Sequence, residues 1–188
     1  MPGEWQPGQR AAAGLTATPR SSILVAGGTT PMKAAVLIAS DSCARGERAD
    51  ESGAHIAARL AETGWEVVET RVVPDDATLI AETLCEWADR RGVDLVVTTG
   101  GTGLSPRDIT PEATAAVIDR RAPGLAEALR SNGARRIPTA WLSRGEAGLR
   151  GTTLIVNLPG SARAAREGMD LLLPLLAHAF AMMRGAGH

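Results

Sequence analysis

Thr98-Thr-Gly-Gly-Thr-Gly-Leu-Ser-Pro-Arg-Asp-Ile-Thr-Pro-Glu-Ala-Thr114 joins an apolar β-branched run, Asp94 to Thr98, to a helix opening at Thr110-Pro111-Glu112. Thr110 reads as a capping residue and Pro111 as a first helical position, where a missing N–H costs nothing. Strand, glycine-rich turn and helix therefore follow in order. Gly100, Gly101 and Gly103 carry no Cβ, so the backbone there is free to take positive φ and to turn N–H groups toward an anion. Asp108 sets a carboxylate beside that cradle, where a divalent metal on a phosphate would sit.

Outward from this unit the chain alternates strands and helices. Ala34 to Ala39 reads as β, Ser52 to Thr63 as α and Glu66 to Val73 as β. Ala77 to Arg90 reads as a helix with Leu79, Ile80, Leu84 and Trp87 at apolar spacing, and Asp94 to Thr99 as a more fully apolar strand. Helices are expected over Pro111 to Arg120 and Pro123 to Asn132, the second stopped by Gly133. Thr139 to Leu149 reads as a small antiparallel excursion, and Thr152 to Asn157 as a further strand leading through Leu158-Pro-Gly-Ser161 into a helix capped by Ser161. Pro174 predicts a break, with a last short helix from Leu175 to Met183. The expected fold is α/β: a single three-layer α/β/α domain over residues 33–188 with a mostly parallel sheet. Residues 1–32, rich in Gly, Pro, Ala, Thr and Ser, read as a disordered N-terminal extension.

Composition narrows the partners. Of 188 residues, 44% are hydrophobic but only 3% aromatic, with no Tyr and one Phe. That scarcity argues against stacking platforms for single-stranded nucleic acid. Twenty basic against 21 acidic side chains give a net charge of -1, so no global field favours nucleic acid or anionic lipid. The apolar runs are too short to cross a bilayer, and the cytoplasm is the expected compartment. Cys43 and Cys85 form no paired motif, the three His are scattered without zinc-ligand spacing, and Cys85 reads as a small buried hydrophobe.

In an open parallel sheet, loops at the carboxyl ends of the strands share one rim, where ligands bind. Four such loops are polar here: Ser40-Asp41-Ser42, Pro74-Asp75-Asp76, Gly100 to Asp108 and Pro159-Gly160-Ser161. The glycine-rich loop is neither a Walker A motif nor a dinucleotide fingerprint. A plain turn would account for Gly100-Gly101, but not for the polar set Thr102, Ser105, Arg107, Asp108 and Thr110 that follows. Asp75 and Asp108 are candidate Mg²⁺ ligands, since two carboxylates at neighbouring strand ends can hold a cation that neutralises a triphosphate. Helix capping is the alternative for each, as it is for Asp50 and Ser52 at the next helix start and for Ser161.

Thr98-Thr-Gly-Gly-Thr-Gly-x4-Asp-Ile-Thr-Pro-Glu-Ala113 together with Asn157-Leu-Pro-Gly160 resembles the molybdopterin adenylyltransferases. Ser40-Asp41, Asp50-Glu-Ser-Gly53, Val73-Pro-Asp75 and Pro138-Thr-Ala-x-Leu-Ser-Arg144 add to the resemblance, which runs from about Lys33 to Arg184. It implies an enzyme of molybdenum cofactor biosynthesis that moves AMP from Mg-ATP onto the terminal phosphate of molybdopterin and releases pyrophosphate. It implies Asp75 and Asp108 as catalytic and metal-binding residues. The implied nucleotide and substrate contacts are Gly100, Gly101, Thr102, Gly103, Thr110, Ser40, Asp50, Ser52, Pro159, Gly160 and Ser161. Mg²⁺ as cofactor, ATP as co-substrate, a homotrimer or hexamer and a molybdenum insertase as partner are implied in the same way. The alternative is a non-catalytic molybdopterin-binding paralogue or scaffold, because one fold carries several activities.

Overall fold

The computed structural model describes residues 31–185. Six strands, β1 (Lys33–Ala39), β2 (Glu66–Val73), β3 (Leu95–Thr99), β4 (Arg120–Arg121), β5 (Ala147–Arg150) and β6 (Thr153–Leu158), form one sheet in the order β2-β1-β3-β6-β5-β4. β2, β1, β3 and β6 run parallel, while β5 and β4 finish one edge by antiparallel pairing. The helices are α1 (Asp41–Ala44), α2 (Ser52–Glu62), α3 (Ala77–Cys85), α4 (Thr110–Val117), α5 (Pro123–Ala134) and α6 (Ala162–Met183).

The two-residue period of a strand divides the interior into two cores. Ala34, Val36 and Ile38 of β1 face Ile56 and Leu60 of α2 and Met169, Leu172 and Leu176 of α6. The alternate residues Ala35, Leu37 and Ala39 face Ile80 and Leu84 of α3, Trp87, and Ala113 and Val117 of α4. Helices thus cover both faces, and β3 is buried along its whole length. Each fully buried leucine, such as Leu60, Leu84 or Leu176, contributes about 1.5–3 kcal/mol. The inferred α/β/α layering is the one observed, and the order in which strands are added reverses at the parallel pair β1 and β3, which places a switch point at the end of those two strands.

Asn157 joins the layers from inside. Its amide nitrogen donates to Thr98 Oγ1 at 2.9 Å and to Thr114 Oγ1 at 3.0 Å, and its Oδ1 accepts the Glu146 N–H at 3.0 Å. A buried side-chain amide is tolerated because its donors and its acceptor are all used.

Several expected boundaries are corrected. The helix expected over Pro111 to Arg120 stops at Val117, whose carbonyl accepts from Arg150 Nη1 at 2.8 Å, and Arg120–Arg121 instead become β4. Gly133 does not stop α5. It stays helical because the turn at Pro138–Leu142 packs on it, with Ala140 Cβ 2.9 Å from where a Gly133 side chain would begin. The antiparallel excursion begins only at Ala147, since Pro138–Leu142 is a 3₁₀ turn.

Pro174 does not break α6. Pro174 and Asp170, whose carbonyl loses its partner, both lie on the exposed face, while Leu172, Leu173, Leu176 and Phe180 hold the buried stripe in register. Ala77 to Arg90 is helical as expected, its last turn widening to a π-turn at Glu86–Arg90. Leu79 falls outside the core at 43% exposure, and Cys85 is half-buried rather than fully buried. Of the expected extension, residues 1–30 lie outside the described residues. Met32 packs into the core, and its carbonyl accepts the Glu66 N–H at 2.9 Å. Among the described residues no helix is long and apolar enough to cross a membrane.

Candidate active site

At the switch point the strand ends open into a cleft of about 330 Å³. Ser40, Ser52, Asp75, Gly100, Gly101, Asp108, Gly160 and Ser161 line it, so eight of the expected site residues meet there, drawn from four separate loops and from the start of α2. Asp50 lines an adjoining cleft that shares Arg48, Ser52, Gly160 and Ser161 with the first. A more enclosed cavity of about 50 Å³ between α5 and α6 shares no lining residue with the main cleft.

The remaining expected residues lie behind this surface. Thr102 is buried, and its carbonyl accepts the Arg144 N–H at 2.9 Å. The Pro159 carbonyl accepts the Thr99 hydroxyl at 2.9 Å, which joins the ends of β3 and β6. Gly103 packs against the Asp108 carboxylate, with Oδ2 2.9 Å from the position a Cβ would take, and its φ is not positive, contrary to expectation. Gly100 and Gly101 do take positive φ, at +96° and +59°.

Capping accounts for some of the polar residues and leaves others free. Asp50 accepts from the Gly53 and Ala54 N–H groups at 3.0 and 3.2 Å, so it caps α2. Ser161 accepts from Ala164 N at 3.2 Å and Ser40 from Cys43 N at 3.3 Å. At α3 the cap is Asp76, which accepts from Thr78 and Leu79, and Asp75 is thereby released from that role. Asp108 does not cap α4 either. Its Oδ2 accepts the Ser105 N–H at 2.8 Å within the loop. Thr110 is not the expected cap: α4 starts at Thr110 itself and Ile109 precedes it.

Among the described residues three buried side-chain atoms lack a hydrogen-bond partner: His55 Nε2, Asp75 Oδ1 and Thr110 Oγ1. The last two flank Gly101, lying 3.1 and 2.5 Å from where its Cβ would be. The other Asp75 oxygen, Oδ2, accepts the Asp41 N–H at 3.0 Å, and the Asp75 N–H returns a bond to Asp41 Oδ1 at 3.1 Å. Arg107 donates through Nε and Nη2 to the Asp41 carboxylate at 2.7–3.1 Å. These donors, Arg107 foremost and then the Asp75 N–H, hold the Asp41 carboxyl below the usual carboxylate range. Arg48 and Arg107 are the cationic side chains lining the main cleft.

Arg144 is a residue that the motif contained but sequence reasoning gave no role. Its guanidinium donates to the Gly103 carbonyl at 2.7 Å, to the Asp108 carbonyl and to Glu112, whose carboxyl it holds below its usual range. One planar fork thus fastens the middle of the glycine-rich loop and its far end, which a lysine ammonium cannot do. Arg144→Lys is expected to raise amide exchange across 100–108 by about one to two orders of magnitude, the equivalent of about 1.5–3 kcal/mol for bonds to a charged group. Exchange in β1 and β3 should not change. Equal rises in loop and strands, read by mass spectrometry, would contradict the clamp.

An open, mostly parallel sheet with polar loops gathered at its switch point defines the α/β proteins that bind ligands in the crevice beyond the strand ends. The chain belongs to the molybdopterin-binding family of molybdenum cofactor biosynthesis: residues 35–178 match the family described as "Probable molybdopterin binding domain". It is 40% identical over 152 residues to the molybdopterin adenylyltransferase of Helicobacter pylori strain J99, covering 80% of this chain and 86% of that protein. It is also 40% identical over 156 residues to the molybdenum cofactor biosynthesis bifunctional protein of Chlorobaculum tepidum, covering 83% of this chain but 50% of that longer protein. Among solved structures, the molybdopterin biosynthesis enzyme MoaB of Thermus thermophilus superposes with a TM-score of 0.77 at 49% identity, over 82% of this chain and 97% of that one.

Proposed function

We propose that this chain adenylylates molybdopterin, transferring AMP from ATP to the terminal phosphate of the pterin with release of pyrophosphate. The observation that carries the proposal is the meeting of Asp75, Asp108, the Gly100-Gly101 turn and Ser161 in one cleft at the switch point. The name of the Helicobacter relative is in keeping with it.

Nucleotidyl transfer is served by positioning and charge neutralisation, so no protein nucleophile is required. The incoming phosphate oxygen attacks the α-phosphorus in line and pyrophosphate leaves opposite it. Arg48 brings positive charge to the phosphates, and the N-terminal end of α6 adds aligned N–H groups. The Gly100-Gly101 turn brings backbone, unscreened by side chains, against the ligand. Ser40, Ser52 and Ser161 present hydroxyls along the same wall.

The residues present fit Mg²⁺. Asp75 Oδ1 is an unpartnered hard oxygen, Asp108 lines the same cleft, and Mg²⁺ is held by one or two carboxylates together with substrate phosphates rather than by a protein cage. Accordingly, no group of three or more His, Cys, Asp or Glu side chains among the described residues is needed, and none is found. When bound, the metal neutralises the charge that develops on the phosphates. We assign Asp75 and Asp108 to it, and Thr110 to the same neighbourhood through its free hydroxyl. A cytoplasmic homotrimer or hexamer that passes its product to a molybdenum insertase completes the proposal.

The test is direct. ATP labelled at the α-phosphate is incubated with the chain, molybdopterin and Mg²⁺, and adenylyl-molybdopterin and pyrophosphate are expected in equal amounts, with chelation stopping both. Binding of molybdopterin with no AMP transfer would instead identify a non-catalytic binder.

A further inference from the structure

The site as described leaves one residue pair without a task. Arg107 lines the cleft and its guanidinium is held by Asp41, yet neither is a capping residue, and α1 is capped by Ser40. Asp41 is the point at which three loops meet. Its backbone N–H donates to Asp75 Oδ2, its Oδ1 accepts the Asp75 N–H, and its carboxylate receives the Arg107 fork. Asp75 follows β2, Asp41 follows β1, and Arg107 sits in the loop after β3, next in sequence to Asp108.

The reciprocal pair has a geometric consequence. By occupying Asp75 Oδ2, the Asp41 N–H fixes the rotation of that carboxylate and leaves Oδ1 as the oxygen facing Gly101. The Arg107 bonds then fix how far the β3 loop, and Asp108 with it, stands from Asp75. Side chains that orient a ligating carboxylate by hydrogen bonding commonly matter nearly as much as the ligand itself.

We propose that Asp41 is a positioning residue of the transfer site, which orients Asp75 directly and holds Asp108 in register with it through Arg107. The proposal rests on the adenylyltransferase reading. Asp41 itself has both carboxylate oxygens engaged by Arg107 and the Asp75 N–H, so it serves the metal-binding pair without joining it.

The two links can be separated. Asp41→Asn keeps an Oδ1 acceptor for the Asp75 N–H and keeps the backbone donor, but loses the charged partner of Arg107. Asp41→Ala loses both side-chain links while its backbone N–H still reaches Asp75 Oδ2, so it tests the hold of the carboxylate on the Asp75 backbone and on Arg107. Arg107→Gln removes the guanidinium alone and should match Asp41→Asn. Two readouts are taken on the whole chain: kcat and KM for AMP transfer, and the increase in ATP affinity produced by Mg²⁺ alone, measured by calorimetry without molybdopterin.

Asp41→Ala is expected to lower kcat by about 10- to 100-fold and to reduce the Mg²⁺-dependent gain in ATP affinity by a similar factor, with the thermal midpoint nearly unchanged. Asp41→Asn and Arg107→Gln should show equal, smaller losses that do not add in the double variant, since both act through one link. Parental values of kcat and of the Mg²⁺-dependent gain in Asp41→Ala would overturn the proposal, and additive losses in the double variant would overturn the Arg107 link. If the parent chain transfers no AMP, the adenylyltransferase reading fails, and the Mg²⁺-dependent affinity still decides whether Asp41 orients the carboxylates.

Discussion

Asp108→Asn should lower AMP transfer by on the order of 10² to 10³-fold while the protein keeps its fold. The substitution exchanges one oxygen for an amide and removes one negative charge from the cleft. The local hydrogen bonds are largely preserved, because the Asp108 N–H still donates to the Ser105 carbonyl and the Asp108 carbonyl still accepts from Arg144. An asparagine Oδ1 can also take the Ser105 N–H that Oδ2 accepts now. Stability should therefore shift by no more than about 0.5 kcal/mol, as is usual for a half-exposed site away from the core. The charge has no substitute. On the proposed assignment, Mg²⁺ would lose one of its two carboxylates, and the charge developing in the transition state would be less well neutralised. Initial rates with labelled ATP, beside a thermal melt of the same preparation, decide the matter. Turnover within a few-fold of the parent would remove Asp108 from the transfer machinery, and a collapsed melt would show that its role is structural.

How much of this was legible depended on how local each signal is. The three strands β1, β2 and β3 are readable because their β-branched alternation or continuous burial extends over five to eight residues. Ser161 could be identified as a cap because the capping bond spans only three residues. The failures involve long-range partners. Nothing near Pro174 says that its exposed face leaves the helix intact, since that depends on where Leu172, Leu173 and Leu176 pack. Nor could Arg120–Arg121 be read as a strand, because they are held by Gly148 and Leu149 of a segment nearly thirty residues away.

The site shows the same division. Glycine, carboxylate and hydroxyl types at strand ends pointed to the rim, and most of those residues share the cleft. Their assignment between capping and ligand roles was not readable. Asp75 and Asp76 are adjacent and chemically alike, and only the fold shows that Asp76 caps α3 while Asp75 faces Gly101. Arg144 was invisible as a clamp for the same reason, since its acceptors lie more than thirty residues away in sequence.

Gly100→Ala should destabilise the chain by about 3–5 kcal/mol, a large loss for a single methyl group. Two separate causes combine. Gly100 has φ of +96°, outside the range an L side chain adopts readily, which alone costs about 1–2 kcal/mol. The added Cβ would also stand 2.2 Å from the Ala39 carbonyl oxygen and 3.3 Å from its carbon, both backbone atoms of β1. Backbone paired in the middle of a sheet cannot retreat as a flexible side chain can. β1 is held on one side by β2 and on the other by β3, whose Thr99 pairs with Ile38. On the opposite side Gly160 leaves no room, since its own missing Cβ would lie 3.0 Å from the Gly100 Cα. Gly151→Ala separates the two causes, because Gly151 has φ of +53° with nothing within 4 Å of the added atom. It should lose only the conformational share, about 1–2 kcal/mol. At roughly 2–4 °C per kcal/mol for a chain of this size, the Gly100 variant should melt roughly 10 °C below the parent and well below the Gly151 variant. Equal shifts in the two variants would mean that Ala39 yields to the methyl group. A larger shift for Gly100 would show that the strand ends which bring the glycine turn into the cleft are packed backbone to backbone, with no space for a side chain.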